Sequence, residues 1–274
     1  MLRPQWRILS FYLVVGCLWI FFSDLLVAQL VRDPVWILRV QSIKGWLFIL
    51  ITSALLFVMI RRDHNRMLAA NQALVASYDQ TIRGWVRVMD LRHRETRDHT
   101  RRVTLMTLAL AKRAGIQDPE ALKQIERGSL LHDIGKVGIP DAILIKPGKL
   151  DLQEGQQMQR HVTIGHQLIS DIAFLRPCAD IPHYHHEKWD GSGYPEGLQG
   201  EAIPLAARLF ALVDVWDALS HPRVYKAAWS EEAVLAYLVE QSGRHFDPQL
   251  VKLFIHHYPE LKAELDSALA QQAD

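Results

Sequence analysis

Two long stretches nearly free of charge stand at the start of this chain and constrain it more than any other feature. Ile8–Leu30 carries Asp24 as its only charged residue, in a run about as long as the ~20 apolar residues a helix needs to cross a hydrocarbon core. Positions 45–60 (GWLFILITSALLFVMI) carry no charge, and Lys44 at their edge can extend its ammonium toward water while the apolar segment stays in lipid. Both runs are therefore predicted to be membrane-spanning helices. A cleaved signal peptide is the rival for the first. No small-x-small cleavage site follows it, however, and Trp19, Phe21 and Phe22 stand where small residues would be needed.

Positions 31–44 are too few to form a ligand-binding domain outside the membrane. Arg3 and Arg7 precede the first run and Arg61, Arg62 and Arg66 follow the second, against Arg32, Arg39 and Lys44 between them. This modest excess of basic residues places both chain ends in the cytoplasm. Asp24 reads either as an interfacial residue near the end of a helical hairpin or as a polar switch at lipid depth.

From Arg61 to Arg92 there is no proline, and Leu68, Val75, Tyr78, Ile82, Trp85 and Met89 recur at heptad spacing. The stripe predicts a linker helix that pairs with a second copy in a parallel homodimer. The alternative is that it packs on its own domain.

Beyond Leu91 the pattern is helical throughout. An amphipathic stretch from Val103 to Ala114 stops at Gly115, and Pro119 opens the next helix. Asp151 with Glu154 three residues on resembles a capping box for a helix to about Asp171, and Pro204 opens another to about Ser220. No alternating strand pattern appears, so the expected fold class is all-α. It comprises two transmembrane helices (1–60), a linker or coiled-coil helix (61–92) and a helical bundle (93–274) with long loops at 135–150 and 188–203.

Charge narrows the function. With 31 Lys and Arg against 30 Asp and Glu the net charge is +1, and this balance argues against a nucleic-acid polymer as partner. Two cysteines, Cys17 and Cys178, exclude a disulfide scaffold and a cysteine-rich zinc site. Thirteen histidines are many for this length, and eight of them fall between His93 and His186, which points to metal chemistry. The adjacent pair His132-Asp133, the cluster His185-His186-Glu187, and His99, His161 and Asp214 are nitrogen and oxygen donors on separate helices. Converging helices can assemble such groups into one site, and the donor mix suits Fe, Mn or Zn.

The motifs His132-Asp133-Ile134-Gly135-Lys136, Gly138-Ile139-Pro140-Asp141, His185-His186-Glu187, Asp190-Gly191-Ser192-Gly193-Tyr194-Pro195 and Asp214-Val215-Trp216-Asp217 resemble, in order and spacing, the HD-GYP domain, the cyclic-di-GMP phosphodiesterase branch of the HD superfamily. The likeness covers roughly residues 85 to 257. The first 60 residues also resemble a two-span module found before bacterial signalling domains, through Trp19-Ile20, Ser23-Asp24 and Lys44-Gly45-Trp46.

The resemblance implies metal ligands at Glu95, His99, His132, Asp133, His161, His185, His186 and Asp214, holding two or three divalent ions, iron or manganese. Arg97 stands where the third-metal segment usually has Gly, and His93 where Asp is common. Asp133 and Lys136 would be catalytic. Lys136, Tyr194, Arg223 and Lys226 would contact the substrate, although Lys136 has an alternative as a solvent-facing helix-end residue and Tyr194 as a shaper of its loop. Asp217 is expected to orient ligands, whereas His166 and His183 read more plainly as packing or surface residues. The expected activity is metal-dependent hydrolysis of cyclic-di-GMP to pGpG, and on to GMP, at the cytoplasmic face of a bacterial inner membrane. A signalling partner at the Gly193-Tyr194-Pro195 loop is a further expectation. The rivals are a non-catalytic cyclic-di-GMP receptor and an HD phosphohydrolase for another nucleotide.

Overall fold

The computed structural model describes residues 4–93, 97–222 and 227–271, less the side chains at 4, 5, 7, 90, 93, 97 and 98. Among the described residues every regular element is helical, and pairing of strand type is confined to isolated bridges, Asp190 with Gln199 and Ser242 with Phe246. The all-α expectation holds. Two compact units divide at Ser77 and Tyr78.

The first unit is a helical hairpin of α1 (Pro4–Leu30) and the first part of α2 (Pro34–His93). Both helices are long and apolar enough to cross a membrane. Large side chains such as Phe21, Phe22, Leu50 and Phe57 face outward over most of their area, as lipid-facing side chains would. Tyr12 and Trp19 of α1 meet Phe48 of α2, with ring centroids 6.4 and 5.9 Å apart. Asp24 is bonded to both Lys44 and Gln41, so the one acid of the first run is paired across the hairpin.

The second unit begins with the last four turns of α2. Ile82 is buried against Leu131, Ile169, Leu175 and Cys178, and Tyr78 meets Phe174 at 4.7 Å. Asp79 receives Arg127 Nε at 2.9 Å and Lys123 Nζ at 3.1 Å. This part of the heptad stripe therefore packs on its own domain, as the alternative reading required. Trp85 and, in the first unit, Leu68 remain exposed.

The main core is built from α3 (Arg97–Arg113), α4 (Pro119–Leu130), α9 (Leu205–Ser220), α10 (Glu231–Glu240) and α11 (Pro248–Ala270). It is filled by Met106, Leu110, Phe210, Leu238 and Phe254, all fully buried. Each contributes roughly 1.5–3 kcal/mol by leaving water. Local signals set several boundaries as expected. Gly115, with φ of 91°, lies just beyond α3, and Asp118 caps α4 through the Ala121 amide ahead of Pro119.

The capping box at Asp151 and Glu154 is present, but the single helix expected from there to Asp171 is broken. α6 (Leu152–Gln159) ends at Arg160, and α7 (His161–Ser170) begins afresh. The break makes His161 the first residue of a helix and turns its ring inward. The loop at 135–150 is also more ordered than expected. It opens with a 3-10 turn, Ile134–Gly138, and continues into the single turn α5 (Asp141–Leu144), held by a small core of Ile139, Ile143 and Leu144. The short helix α8 (Asp180–Tyr184) completes the set and delivers His185 and His186.

Candidate metal centre

His132 and Asp133 follow the Leu131 cap of α4, His161 opens α7, His185 and His186 follow α8, His99 lies on α3 and Asp214 on α9. The fold brings these residues, dispersed over more than a hundred positions, into two groups. His161, His185 and His186 present ligand atoms all within 4.8 Å of one another, and so do His99, His132 and Asp214. Asp133 joins them. Its Oδ2 is 3.0 Å from His132 Nε2, its Oδ1 3.4 Å from His161 Nε2, and Lys136 Nζ donates to Oδ2 at 2.6 Å.

The hydrogen bonds on the far side of each ring set its tautomer. Nδ1 of His132, His161 and His185 lies 2.9, 2.8 and 2.9 Å from the carbonyls of Ser129, Met158 and Ile181. A carbonyl only accepts, so each Nδ1 carries the proton and each neutral Nε2 turns a lone pair to the centre. His99 does the same with a carboxylate: its Nδ1 donates to Asp217 Oδ2 at 2.7 Å while Nε2 lies 3.4 Å from Asp214 Oδ1. Lone pairs of buried imidazoles converging with carboxylate oxygens are what divalent cations require, and the residues present fit such ions.

Electrostatics agree with that reading. Burial holds His185 and His161 below the ordinary histidine range and His186 down to about 3, so the rings are neutral. Burial opposes ionisation of Asp133, but the Lys136 ammonium bonded to its Oδ2 leads the groups that outweigh it, and the carboxyl is held well below its usual range. Phe210 closes the site from beneath, 4.8 Å from the His132 ring and 5.9 Å from His185. Gly135 has to be glycine, because a Cβ there would collide with the His161 carbonyl oxygen. That close approach locks the turn after Asp133 against the start of α7.

Tyr194 lies against His186, with ring centroids 4.8 Å apart at 30°, and burial pushes its phenol up. Glu95, Arg223 and Lys226 lie outside the described residues. His166 and His183 stack on each other at 4.1 Å, and His183 reaches Glu196 at 3.2 Å; neither belongs to the two groups.

Three supports were not anticipated from sequence. Glu187 turns away from its histidine neighbours, is buried, and accepts the amides of Glu196, Gly197 and Leu198 at 2.8, 3.0 and 3.1 Å, anchoring the loop that carries Tyr194. Arg102 donates to both oxygens of Asp217 at 2.6 and 2.9 Å, and His221 Nδ1 is 3.0 Å from Oδ1. The helical spacing of His99 and Arg102, one turn apart, was the available signal.

Fold and site thus define an all-helical, histidine-lined domain with room for divalent metal. The HD-domain sequence profile matches residues 64–250, and the chain belongs to the HD-domain family of metal-dependent hydrolases. Among its relatives, the 3'3'-cGAMP-specific phosphodiesterase 2 of Vibrio cholerae is 46% identical over 177 residues, 64% of this chain and 34% of that protein. The cyclic di-GMP phosphodiesterase response regulator of Xanthomonas campestris pv. campestris is 41% identical over 206 residues, 72% of this chain and 54% of that protein. The chain thus spans about a third and about half of the length of these relatives. A crystal structure of a cyclic GMP-AMP specific phosphodiesterase of V. cholerae shares the fold, with a TM-score of 0.53 at 21% identity over 68% of this chain and 50% of that one.

Proposed function

We propose that this chain is a metal-dependent phosphodiesterase of the HD-GYP type, anchored in a bacterial inner membrane by residues 1–60. It hydrolyses cyclic-di-GMP to pGpG, and on to GMP, in a cytoplasmic domain that follows the linker at 61–92. The observation that carries this reading is the division of Asp133 between two histidine groups, with Lys136 on one of its oxygens. The relative named a cyclic di-GMP phosphodiesterase, 41% identical to this chain, supports the substrate class.

Two or three divalent ions, iron or manganese, held by His99, His132, Asp133, His161, His185, His186, Asp214 and Glu95, would supply Lewis acidity toward the phosphodiester and activate water. Asp133 holds its two oxygens toward both groups. Lys136 places a cation where negative charge develops on the phosphate. Tyr194 offers an aromatic face to a guanine, and Arg223 and Lys226 would hold the substrate phosphates. Exposed Leu68 and Trp85 leave a surface for homodimer pairing through α2, and the Tyr194 loop one for a signalling partner.

Hydrolysis of 3'3'-cGAMP is a second reading, favoured by the 46% identical relative named for that substrate. The test is turnover of both cyclic dinucleotides by the full chain in nanodiscs, loaded anaerobically with iron or manganese, beside Asp133→Ala. The expected result is pGpG or GMP from cyclic-di-GMP, abolished in the variant with helicity retained. Faster turnover of 3'3'-cGAMP would move the substrate, and bound metal with no turnover would make the chain a receptor.

A further inference from the structure

Arg92 lies on the last turn of α2, and its guanidinium reaches the segment that carries Lys136. Nη1 donates to the carbonyls of Lys136 at 3.2 Å and Val137 at 2.8 Å. Nη2 donates to the carbonyl of Ile139 and to Asp141 Oδ1, both at 2.8 Å, and Nε to the same carboxylate oxygen at 3.1 Å. Lys136 and Val137 belong to the 3-10 turn Ile134–Gly138; the Lys136 carbonyl also takes the Ile139 amide at 3.1 Å, whereas the next carbonyl, of Val137, would need an amide from position 140. Pro140, three residues after Val137, has no N–H to offer. Three carbonyls and a carboxylate converging on one point form a socket for a planar, forked cation, which a lysine ammonium does not match.

The same turn is pinned on its other side by the contact of Gly135 with the His161 backbone, and it delivers Lys136 Nζ to Asp133. We propose that Arg92 is a positioning residue for this turn. It caps the turn's carbonyl end and makes the last turn of the linker helix part of the support of Lys136, so that a shift of α2 is felt at Lys136 and Asp133. The catalytic part of the proposal rests on the function assigned above to Lys136 and Asp133.

The experiment uses the full chain in nanodiscs with manganese and compares wild type with Arg92→Gln, Arg92→Lys and Asp141→Asn. It reads kcat, KM, manganese content and hydrogen exchange of residues 134–141. Arg92→Gln is expected to lower kcat roughly tenfold to hundredfold, with KM within about twofold and metal content unchanged. Exchange at the Lys136 and Ile139 amides should quicken. Arg92→Lys and Asp141→Asn should fall between, and Asp141→Asn serves if Arg92→Gln does not fold. Wild-type kcat or unchanged exchange in these variants would overturn the proposal. If wild type turns over neither dinucleotide while exchange still quickens in Arg92→Gln, the assigned function fails and the socket is upheld.

Discussion

The Nε2 atoms of His161 and His185 stand 3.5 Å apart, each with its Nδ1 proton given to a backbone carbonyl. Two lone pairs at that distance, in buried rings, have no proton to share, and a cation between them relieves the repulsion. Chelation should therefore destabilise the protein. Metal at a hundredfold excess over its Kd contributes about 2.7 kcal/mol, which for a domain of this size moves Tm by about 5–10 °C. Scanning calorimetry with and without EDTA, followed by re-addition of manganese, checks this; an unchanged Tm would show that the two histidine groups hold no ion.

The metal-free protein should be acid-sensitive in a window set by the same rings. His186 ionises at about 3 when folded and at about 6.5 when unfolded. Between those values the unfolded chain binds a proton that the folded chain refuses, so stability falls as pH drops from about 6.5 toward about 3. His185 and His161 shift in the same direction. Asp217, held below the usual carboxylate range by Arg102, His221 and His99 against its burial, adds its own loss only below about 4. Urea midpoints across the window should decline steadily, and a flat profile would mean that these rings are charged in the fold.

Asp217→Asn tests how His99 is held. An amide gives one acceptor oxygen and places NH2 donors against Arg102 or the His99 Nδ1 proton, so one of those bonds is lost. Metal affinity at the His99, His132 and Asp214 group should weaken by roughly 10–100-fold, measured by competition with a chromophoric chelator on folded protein. Unchanged affinity would show that the ring is held by packing alone.

Glu187→Gln addresses the loop bearing Tyr194. Three amides point at the buried carboxylate, and Gln would set an NH2 group against at least one of them. The expected cost is about 2–4 kcal/mol in urea unfolding, together with faster hydrogen exchange at residues 196–198. Retention of both would mean that the loop stands without this anchor.

Much of the architecture is local in origin and was legible in the sequence. The capping box at Asp151, the Pro119 opening of α4 and the end of α3 near Gly115 each follow from a few neighbouring residues acting on their own backbone. Motif order brought forward every residue of the two clusters whose donor atoms converge, His161, His185 and His186, and His99, His132 and Asp214. The break at Arg160 was not legible, because the segment's helical pattern continues across it, while the contact that follows it, α7 packed against the Ile134–Gly138 turn, joins parts of the chain distant in sequence. Arg102 escaped notice for a similar reason: a helical arginine most often faces solvent, and here it is nearly buried on Asp217, 115 positions away.

By itself, the sequence determined the helical class, the two apolar runs and the kinds of donor atom available, since these depend on residue type and on spacings of three or four. Only the tertiary structure decided that Asp133 divides its oxygens between two histidine groups, that Glu187 faces a loop and not its histidine neighbours, and that Tyr78 and Ile82 pack on their own domain. Those outcomes turn on which surfaces of distant helices meet. Burial then fixes the protonation and direction of each polar group, because an unpaired one in the interior costs about as much as a whole secondary-structure contact contributes.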